Sequence, residues 1–202
     1  MKKILAIGGA VIKTAKKELI EVIKSEQIEM LIHNGGSIFH DFQQEITDLD
    51  DHSYPIEELL KSFECNKEAS DLVWKWIDDE YSGPDNSVTK TCYDLGIPVL
   101  MFTGLACDFW QLTATNWTGI AYQAKIDFDN LCERFKTKFH YVCMGSAVIH
   151  PEVFIKAVAV SKPSKFKADV VDFLDMYRPR TRVAKYGIYY QITHQEYLKG
   201  LL

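Results

Sequence analysis

Two short apolar runs near the start of the chain each end at a pair of glycines. Residues 3–7 precede Gly8 and Gly9, and residues 30–32 lead through two polar residues to Gly35 and Gly36. From 14 to 25, apolar residues recur at helical spacing among lysines and glutamates. A strand, a helix and a second strand within about thirty residues indicate a βαβ unit, in which a right-handed crossover joins two parallel strands.

The same alternation resumes in the second half of the chain. The patterns predict helices at 87–95, at 125–136 and from Pro151, and strands at 96–102, 139–144 and 170–177. We therefore expect an α/β fold with a Rossmann-like, doubly wound and mostly parallel sheet. Residues 1–202 are expected to form a single domain, in which the acidic, helical stretch at about 47–86 is an insertion over the cleft or a covering layer.

Composition narrows the classes of function. The chain of 202 residues is 47% hydrophobic with a net charge of -5, which allows a sizeable core and gives no basic footprint for nucleic acid. The first apolar run is too short for a signal peptide or a membrane span. Five scattered cysteines without C-x-x-C spacing indicate reduced thiols in a cytoplasmic protein and no zinc site.

In a doubly wound sheet the ligand crevice lies beyond the carboxyl ends of the strands. Small or polar residues occupy four such corners, where the N–H groups of new helices suit a phosphate. We expect a nucleotide or dinucleotide there; at the second corner, a plain strand-to-helix turn capped by Ser37 is the alternative. The candidate cofactor-binding residues are Gly8, Gly9, Asn34, Gly35, Gly36, Ser37, Thr103, Gly104, Asp108, Gly145 and Ser146.

Three titratable residues near these corners are candidates for catalysis. His40 and Asp41 are expected in the first turn of the helix that follows Gly36, and His150 follows the corner at Gly145. A single His-Asp pair without a further cluster is a weak metal signal, so we expect no metal. For His150, an ordinary capping or hydrogen-bonding role is the alternative.

A dense basic patch stands near the end of an otherwise acidic chain. Arg178, Arg180 and Arg182 follow the last predicted strand. Clustered guanidinium groups bind carboxylates or phosphates in bidentate fashion, so the patch is a candidate site for a small anionic substrate. A solvated turn is the alternative.

Four segments of the chain resemble, in order, the deoxyhypusine synthase-like NAD-binding family. Residues 28–43 resemble its strand, Gly-Gly corner and His-Asp pair, and residues 94–108 resemble its H-x-I-P-V strand and the loop after it. Residues 145–154 resemble its G-G-V-x-K-H-H segment, with His150 over a family histidine, and residues 178–187 are similar to the closing R-P-x-E-A-x-S-W-G-K. The resemblance implies NAD as cofactor and a homo-oligomer, either a dimer or a tetramer.

The closing motif departs from the family at three positions. The lysine that forms the covalent imine in the synthases aligns with Ile188, and the tryptophan aligns with Tyr186, which joins the candidate substrate-binding residues. The acidic residue that helps to recognise the polyamine aligns with Arg182. A site without the nucleophile and with reversed charge does not suit spermidine, so we reject deoxyhypusine synthesis.

Residues 4–41 are similar to a second branch, the ornithine cyclodeaminase-like NAD-binding domain that often carries the lysine-ketoglutarate reductase/saccharopine dehydrogenase name. Its amino-acid substrate has a carboxylate, which would suit the arginines. The combined expectation is an NAD(H)-binding enzyme, of transferase, oxidoreductase or cyclodeaminase type, that acts on a small anionic or amino-acid-like substrate. The alternative is a nucleotide-binding or regulatory module that keeps the fold without catalysis.

Overall fold

A computed structural model describes residues 1–25, 27–43, 67–104, 107–112 and 117–202. Its six strands form one sheet in the order β3-β2-β1-β4-β5-β6, and every neighbouring pair is parallel. This topology confirms the predicted α/β, Rossmann-like, doubly wound sheet. The strands are β1 Lys3–Ile7, β2 Ile28–Asn34, β3 Val99–Phe102, β4 Phe139–Met144, β5 Phe166–Val171 and β6 Tyr189–Tyr190.

Eight α-helices lie within the described residues. They are α1 Gly9–Lys24, α2 Gly35–Gln43, α3 Lys67–Ile77, α4 Val88–Asp94, α5 Phe109–Leu112, α6 Trp117–Phe135, α7 Ile149–Ser161 and α8 His194–Lys199. A π-helical turn at Pro179–Val183 and a 3-10 turn at Ala184–Tyr186 connect β5 to β6. No helix of the described residues is long and apolar enough to cross a membrane.

Both faces of the sheet are buried, which explains why its strands are nearly continuous apolar runs. In β1, Ile4 and Ala6 pack into the layer of α6 and α7, whereas Leu5 and Ile7 pack into the layer of α1, α4 and α8. A third cluster joins α2, α3 and α5 through buried Trp110. In the acidic stretch at 47–86, residues 47–66 lie outside the described residues, while α3 packs on α2.

The last predicted strand, at 170–177, is wrong in its extent. β5 begins at Phe166 and ends at Val171, and the next two apolar residues, Phe173 and Leu174, are 51% and 57% exposed. The missed strand β6 pairs with β5 instead, with Val170 opposite Tyr189. An apolar sequence pattern does not show whether a neighbouring strand is present, and β6 is too short to give a pattern of its own.

Candidate functional site

A small cleft opens at the carboxyl ends of β1, β2 and β3, where the first turns of α1, α2 and α7 meet. Its volume is about 230 Å³. Seven of the eleven predicted cofactor-binding residues line it, together with His40 from the catalytic candidates. The lining residues are Gly9, Ala10, Asn34, Gly35, Gly36, His40, Thr103, Gly104, Cys107, Asp108 and Ile149.

A larger groove of about 560 Å³ lies beside the amino end of β3, among Trp76, Tyr93 and Gln123. None of the predicted site residues lines it. Ligands of doubly wound sheets bind at the carboxyl ends of the strands, so we take the smaller cleft as the candidate site.

The corner between β2 and α2 is built by Asn34 and Ser37. Asn34 Oδ1 accepts a hydrogen bond from the Ser37 backbone N–H at 2.8 Å, which is the geometry of a helix N-cap. The helix therefore begins at Gly35, two residues earlier than expected, and its cap is Asn34 and not Ser37. Ser37 is fully buried, and Asn34 is the member of the pair that lines the cleft.

Asp108 lies directly against this corner. A Cβ on Gly35 would lie 2.0 Å from Asp108 Oδ2 and 2.4 Å from Thr103 Oγ1, so only glycine allows the close approach. Thr103 donates to Asp108 Oδ2 at 3.0 Å, and Gln111 Nε2 donates to Thr103 Oγ1 at 2.9 Å. A carboxylate is thus held beside the positive end of the α2 dipole.

The corner between β1 and α1 is different, because no side chain caps the helix. Gly8 is the N-cap residue and forms no side-chain cap, and Gly9 and Ala10 of the first turn line the cleft. A Cβ on Gly8 would lie 1.9 Å from the Gly145 carbonyl oxygen, so the corners after β1 and β4 touch. Gly8, Gly145 and Ser146 support this contact without lining the cleft.

The three predicted catalytic residues do not lie at one site in the structure. His40 lies in the second turn of α2 and lines the cleft; its ring lies 2.8 Å from the position of a Cβ on Gly9, and its Nδ1 is 2.9 Å from Gln43 Oε1. Asp41, the next residue, is fully buried and does not line the cleft.

The Asp41 carboxylate caps the start of α4. It accepts the backbone N–H groups of Val88 and Thr89, both at 2.9 Å, and the Thr89 hydroxyl at 2.8 Å. Burial raises the pKa of Asp41, while Lys16, whose Nζ is 3.4 Å from Oδ1, and the N–H donors act in the opposite direction. The position gives Asp41 a capping role and no direct access to a ligand in the cleft.

His150 is also fully buried, in the first turn of α7. Its ring Nε2 lies 2.8 Å from the Ile7 carbonyl oxygen, so Nε2 carries the proton and donates. Burial lowers the pKa of His150 to about 4, which keeps the ring neutral near pH 7. The ring ties α7 to the end of β1, in line with the hydrogen-bonding alternative.

The three arginines lie in and beside the π-helical turn and pair with carboxylates of the chain. Arg182 Nε is 2.9 Å and Arg178 Nε is 3.5 Å from the same oxygen of Glu152, in the first turn of α7, and Arg180 Nε is 2.7 Å from Asp175. The Tyr186 ring packs against Phe154 and Phe166. None of the four predicted substrate-binding residues lines the cleft.

Several residues of the site carry no sequence signal of their own. Ala10, Cys107 and Ile149 line the cleft because they flank corners that the sequence marks, whereas Gln111 and buried His33 act behind it. A polar residue inside an apolar strand, as His33 is in β2, is the one signal that could have drawn attention to a buried network. No group of three or more His, Cys, Asp or Glu side chains in the described part of the chain could hold a metal ion.

The sequence matches no protein-family profile, and no curated protein shows significant similarity to it. Solved structures share its fold. AgrE in its complex with ornithine and NAD+ has a TM-score of 0.63 at 15% identity, and the match covers 99% of this chain and 29% of AgrE. This chain thus spans less than a third of that protein's length.

Two further structures of the same fold carry the names of the two families that the sequence resembles, one each. A conserved putative LOR/SDH protein from Methanococcus maripaludis S2 has a TM-score of 0.63 at 13% identity, covering 99% of this chain and 59% of the other. A putative deoxyhypusine synthase from Entamoeba histolytica has a TM-score of 0.59 at 8% identity, covering 99% and 74%. At these identities the likeness shows a common fold.

Proposed function

We propose that this protein binds NAD(H) at the carboxyl edge of its sheet and acts as an enzyme on a small anionic or amino-acid-like substrate other than that of a deoxyhypusine synthase. One observation carries the proposal: the uncapped first turn of α1 and the carboxylate of Asp108 line the same cleft. An uncapped helix start suits a phosphate, and a carboxylate suits a ribose hydroxyl or an ammonium group.

The strand order supports this position. From β1 the chain adds β2 and β3 on one side of β1, and then crosses to add β4, β5 and β6 on the other side. The sheet therefore has its switch point between β1 and β4. Dinucleotides bind across such a switch point in doubly wound folds. The touching corners at Gly8 and Gly145 mark this point.

The described cleft suits part of a dinucleotide. Its volume of about 230 Å³ is below the roughly 300–1,000 Å³ of pockets that enclose a whole drug-sized ligand, so the rest of the cofactor would lie on the open edge. Gly9 and Ala10 would hold the pyrophosphate with backbone N–H groups, and Asp108 would accept hydrogen bonds from a ribose. When bound, NAD supplies a hydride acceptor or donor.

The roles of the chain's own groups follow from where they lie. His40 is the histidine at the cleft and would move a proton to or from the substrate. The arginines lie outside the cleft, where Arg178 and Arg182 pair with Glu152 on the helix whose Ile149 lines it; they would hold the carboxylate of a substrate that extends beyond the cleft, with Glu152 displaced. AgrE, which shares this fold, was solved with ornithine and NAD+, and this supports an amino-acid-like substrate.

A pair of matched glycine variants tests the proposal. Gly36 lines the cleft, and the atom nearest to a Cβ there, Asp108 Oδ1, is 3.6 Å away, so the backbone at Gly36 has room for a Cβ and Gly36→Asp adds a second negative charge to the cleft. Gly200→Asp adds the same charge at the C-terminal end of α8. Millimolar NAD or NADH should raise the melting temperature of the native protein and of Gly200→Asp by mass action, and much less that of Gly36→Asp. An unchanged melting temperature of the native protein contradicts the proposal.

The second candidate is a nucleotide-binding module without catalysis. The observation that favours it is Ile188, which aligns with the family's lysine and whose backbone N–H is bonded to Asp169. This candidate expects NAD binding with no turnover. An NAD-linked absorbance change with any compound of an amino-acid and hydroxy-acid panel excludes it.

A further inference from the structure

A buried chain of polar side chains runs from the cleft corner to the cap of α4. Its members are Asn34, Ser37, His33, Thr89 and Asp41, and the last four are at most 1% exposed. His33 lies at the centre: its Nδ1 is 2.8 Å from Ser37 Oγ, and its Nε2 is 3.2 Å from Thr89 Oγ1. Such a network in a protein interior needs every donor matched to an acceptor.

The direction of the hydrogen bonds follows from the Asp41 end. Both Asp41 oxygens receive backbone N–H groups, so the Thr89 hydroxyl donates its single proton to Asp41. Thr89 Oγ1 can then only accept from His33, which places the ring proton on Nε2. Burial lowers the pKa of His33 to about 3, so the ring is neutral and its Nδ1 is an acceptor.

The direction continues to the cleft corner. An unprotonated Nδ1 at 2.8 Å requires the Ser37 hydroxyl to donate to it, because otherwise two lone pairs would face each other. Ser37 Oγ in turn accepts the backbone N–H of Asn34 at 3.0 Å. The Ser37 backbone N–H binds Asn34 Oδ1, so the carbonyl end of the Asn34 amide points into the helix cap.

We propose that His33 is a positioning residue of the cleft: through a one-directional chain of hydrogen bonds that ends on Asp41, it directs the Ser37 hydroxyl proton to its own Nδ1, so that Ser37 Oγ accepts the Asn34 backbone N–H and holds the corner between β2 and α2 that lines the cleft. The corner at Asn34, which lines the cleft together with Asp108, is thereby coupled to the cap of α4. The ligand-binding part of this inference rests on the proposed function, but the hydrogen-bond chain does not.

Thr89→Val tests the chain, because valine has nearly the shape of threonine and lacks the hydroxyl. In this variant the Nε2–H group of His33 loses its acceptor. The His33 ring is therefore expected to change to the Nδ1–H tautomer. Ser37 can then donate to the Asn34 carbonyl oxygen, which already lies 3.0 Å from its Oγ. Thr89→Ser restores the hydroxyl and should restore the Nε2–H tautomer.

The matched control is Thr91→Val in the same helix. Thr91 is buried, and its hydroxyl donates to the Ser87 carbonyl oxygen at 2.8 Å, outside the chain. Histidine side-chain NMR with ¹⁵N labelling reports the tautomer of His33, and the Asn34 backbone amide signal reports its hydrogen bond to Ser37 Oγ. Thr89→Val should change both, whereas Thr91→Val should change neither.

Ligand affinity gives the second readout. The Kd for NAD should rise about fivefold in Thr89→Val, the equivalent of one hydrogen bond, and stay within twofold in Thr91→Val at equal fold stability. An Nδ1–H tautomer in the native protein, or Thr89→Val without a change of tautomer or of the Asn34 signal, overturns the inference. If the native protein binds no NAD, the proposed function fails. The NMR readouts alone then test the chain of hydrogen bonds.

Discussion

The carboxylate of Asp108 fills the space that a side chain at Gly35 would need, with Oδ2 only 2.0 Å from the position of a Cβ. This contact places a negative charge at the start of α2, while the start of α1 on the same cleft has no side-chain cap. The cleft therefore has one end for a hydrogen-bond donor and one for an anion. This polarity would orient a ligand bound in the cleft.

Two alanine variants test the contact. Gly35→Ala must displace Asp108 or the helix start and should lower the free energy of unfolding by about 1–3 kcal/mol, the usual result of overpacking. Gly36→Ala, with no atom closer than 3.6 Å to the new Cβ, should leave stability unchanged or raise it slightly. Urea unfolding compares the two, and equal stabilities of both variants contradict the contact.

Asp127 should make the protein less stable as pH rises. It is buried, Oδ2 accepts the Met101 backbone N–H at 2.8 Å, and Oδ1 accepts Gln123 Nε2 at 2.8 Å. Burial raises the pKa of Asp127 to about 6. Since its folded-state pKa lies above the unfolded value, its stabilising contribution is complete below about pH 4 and is lost as pH rises through 6, by on the order of 3 kcal/mol.

Asp127→Asn removes this titration and keeps an acceptor for the Met101 N–H. Measured by urea unfolding, the native protein should lose stability relative to the variant between pH 4 and pH 8. The difference between the two proteins isolates Asp127 from all other titrating groups. A difference that stays constant over this range shows that the carboxyl group titrates normally.

His150 should make the protein less stable as pH falls, which is the opposite of the effect of Asp127. Burial lowers its folded-state pKa to about 4, so its contribution is present above the unfolded pKa of roughly 6.5 and is lost as pH falls toward 4, by about 3 kcal/mol. His150→Phe removes the titration and also the donor to Ile7, which lowers stability at every pH. The stability gap between native protein and variant should therefore narrow from pH 7 to pH 4. A gap that widens on acidification contradicts a neutral buried ring.

Glu152 should control the anion affinity of the arginines. It is shared by Arg178 and Arg182, whereas Asp175 pairs with Arg180. Glu152→Gln leaves two guanidinium groups without this carboxylate, so inorganic phosphate should bind more tightly to it than to the matched control Asp175→Asn. Isothermal titration calorimetry at low salt measures both. Equal phosphate affinities would show that the arginines do not act together.

Local sequence patterns and tertiary contacts carry different information about this fold. Apolar periodicity placed five of the six strands, because each strand of a buried parallel sheet must be apolar along its own length. The same signal failed after Val171, where Phe173 and Leu174 have no strand beside them. Periodicity reports the character of a segment and says nothing of its neighbour.

The site residues show the same limit. His40 and Asp41 are adjacent in sequence and both are titratable. His40 nevertheless lines the cleft, whereas Asp41 caps a helix that begins 47 positions later. His33 was expected to end the apolar run and not to be a site residue, because the sequence does not show that Thr89 lies beside it. The identity of a hydrogen-bond partner is long-range information.

The sequence by itself determined the parallel α/β sheet and the glycine corners at its carboxyl edge, because hydrophobic period and backbone freedom are local properties of a segment. Only the tertiary structure decided which corner is closed by Asp108, which remains uncapped at Gly8, and which titratable groups are buried. These outcomes depend on contacts between segments that are distant in sequence. The free energy of a buried polar group is set by the partner that it meets.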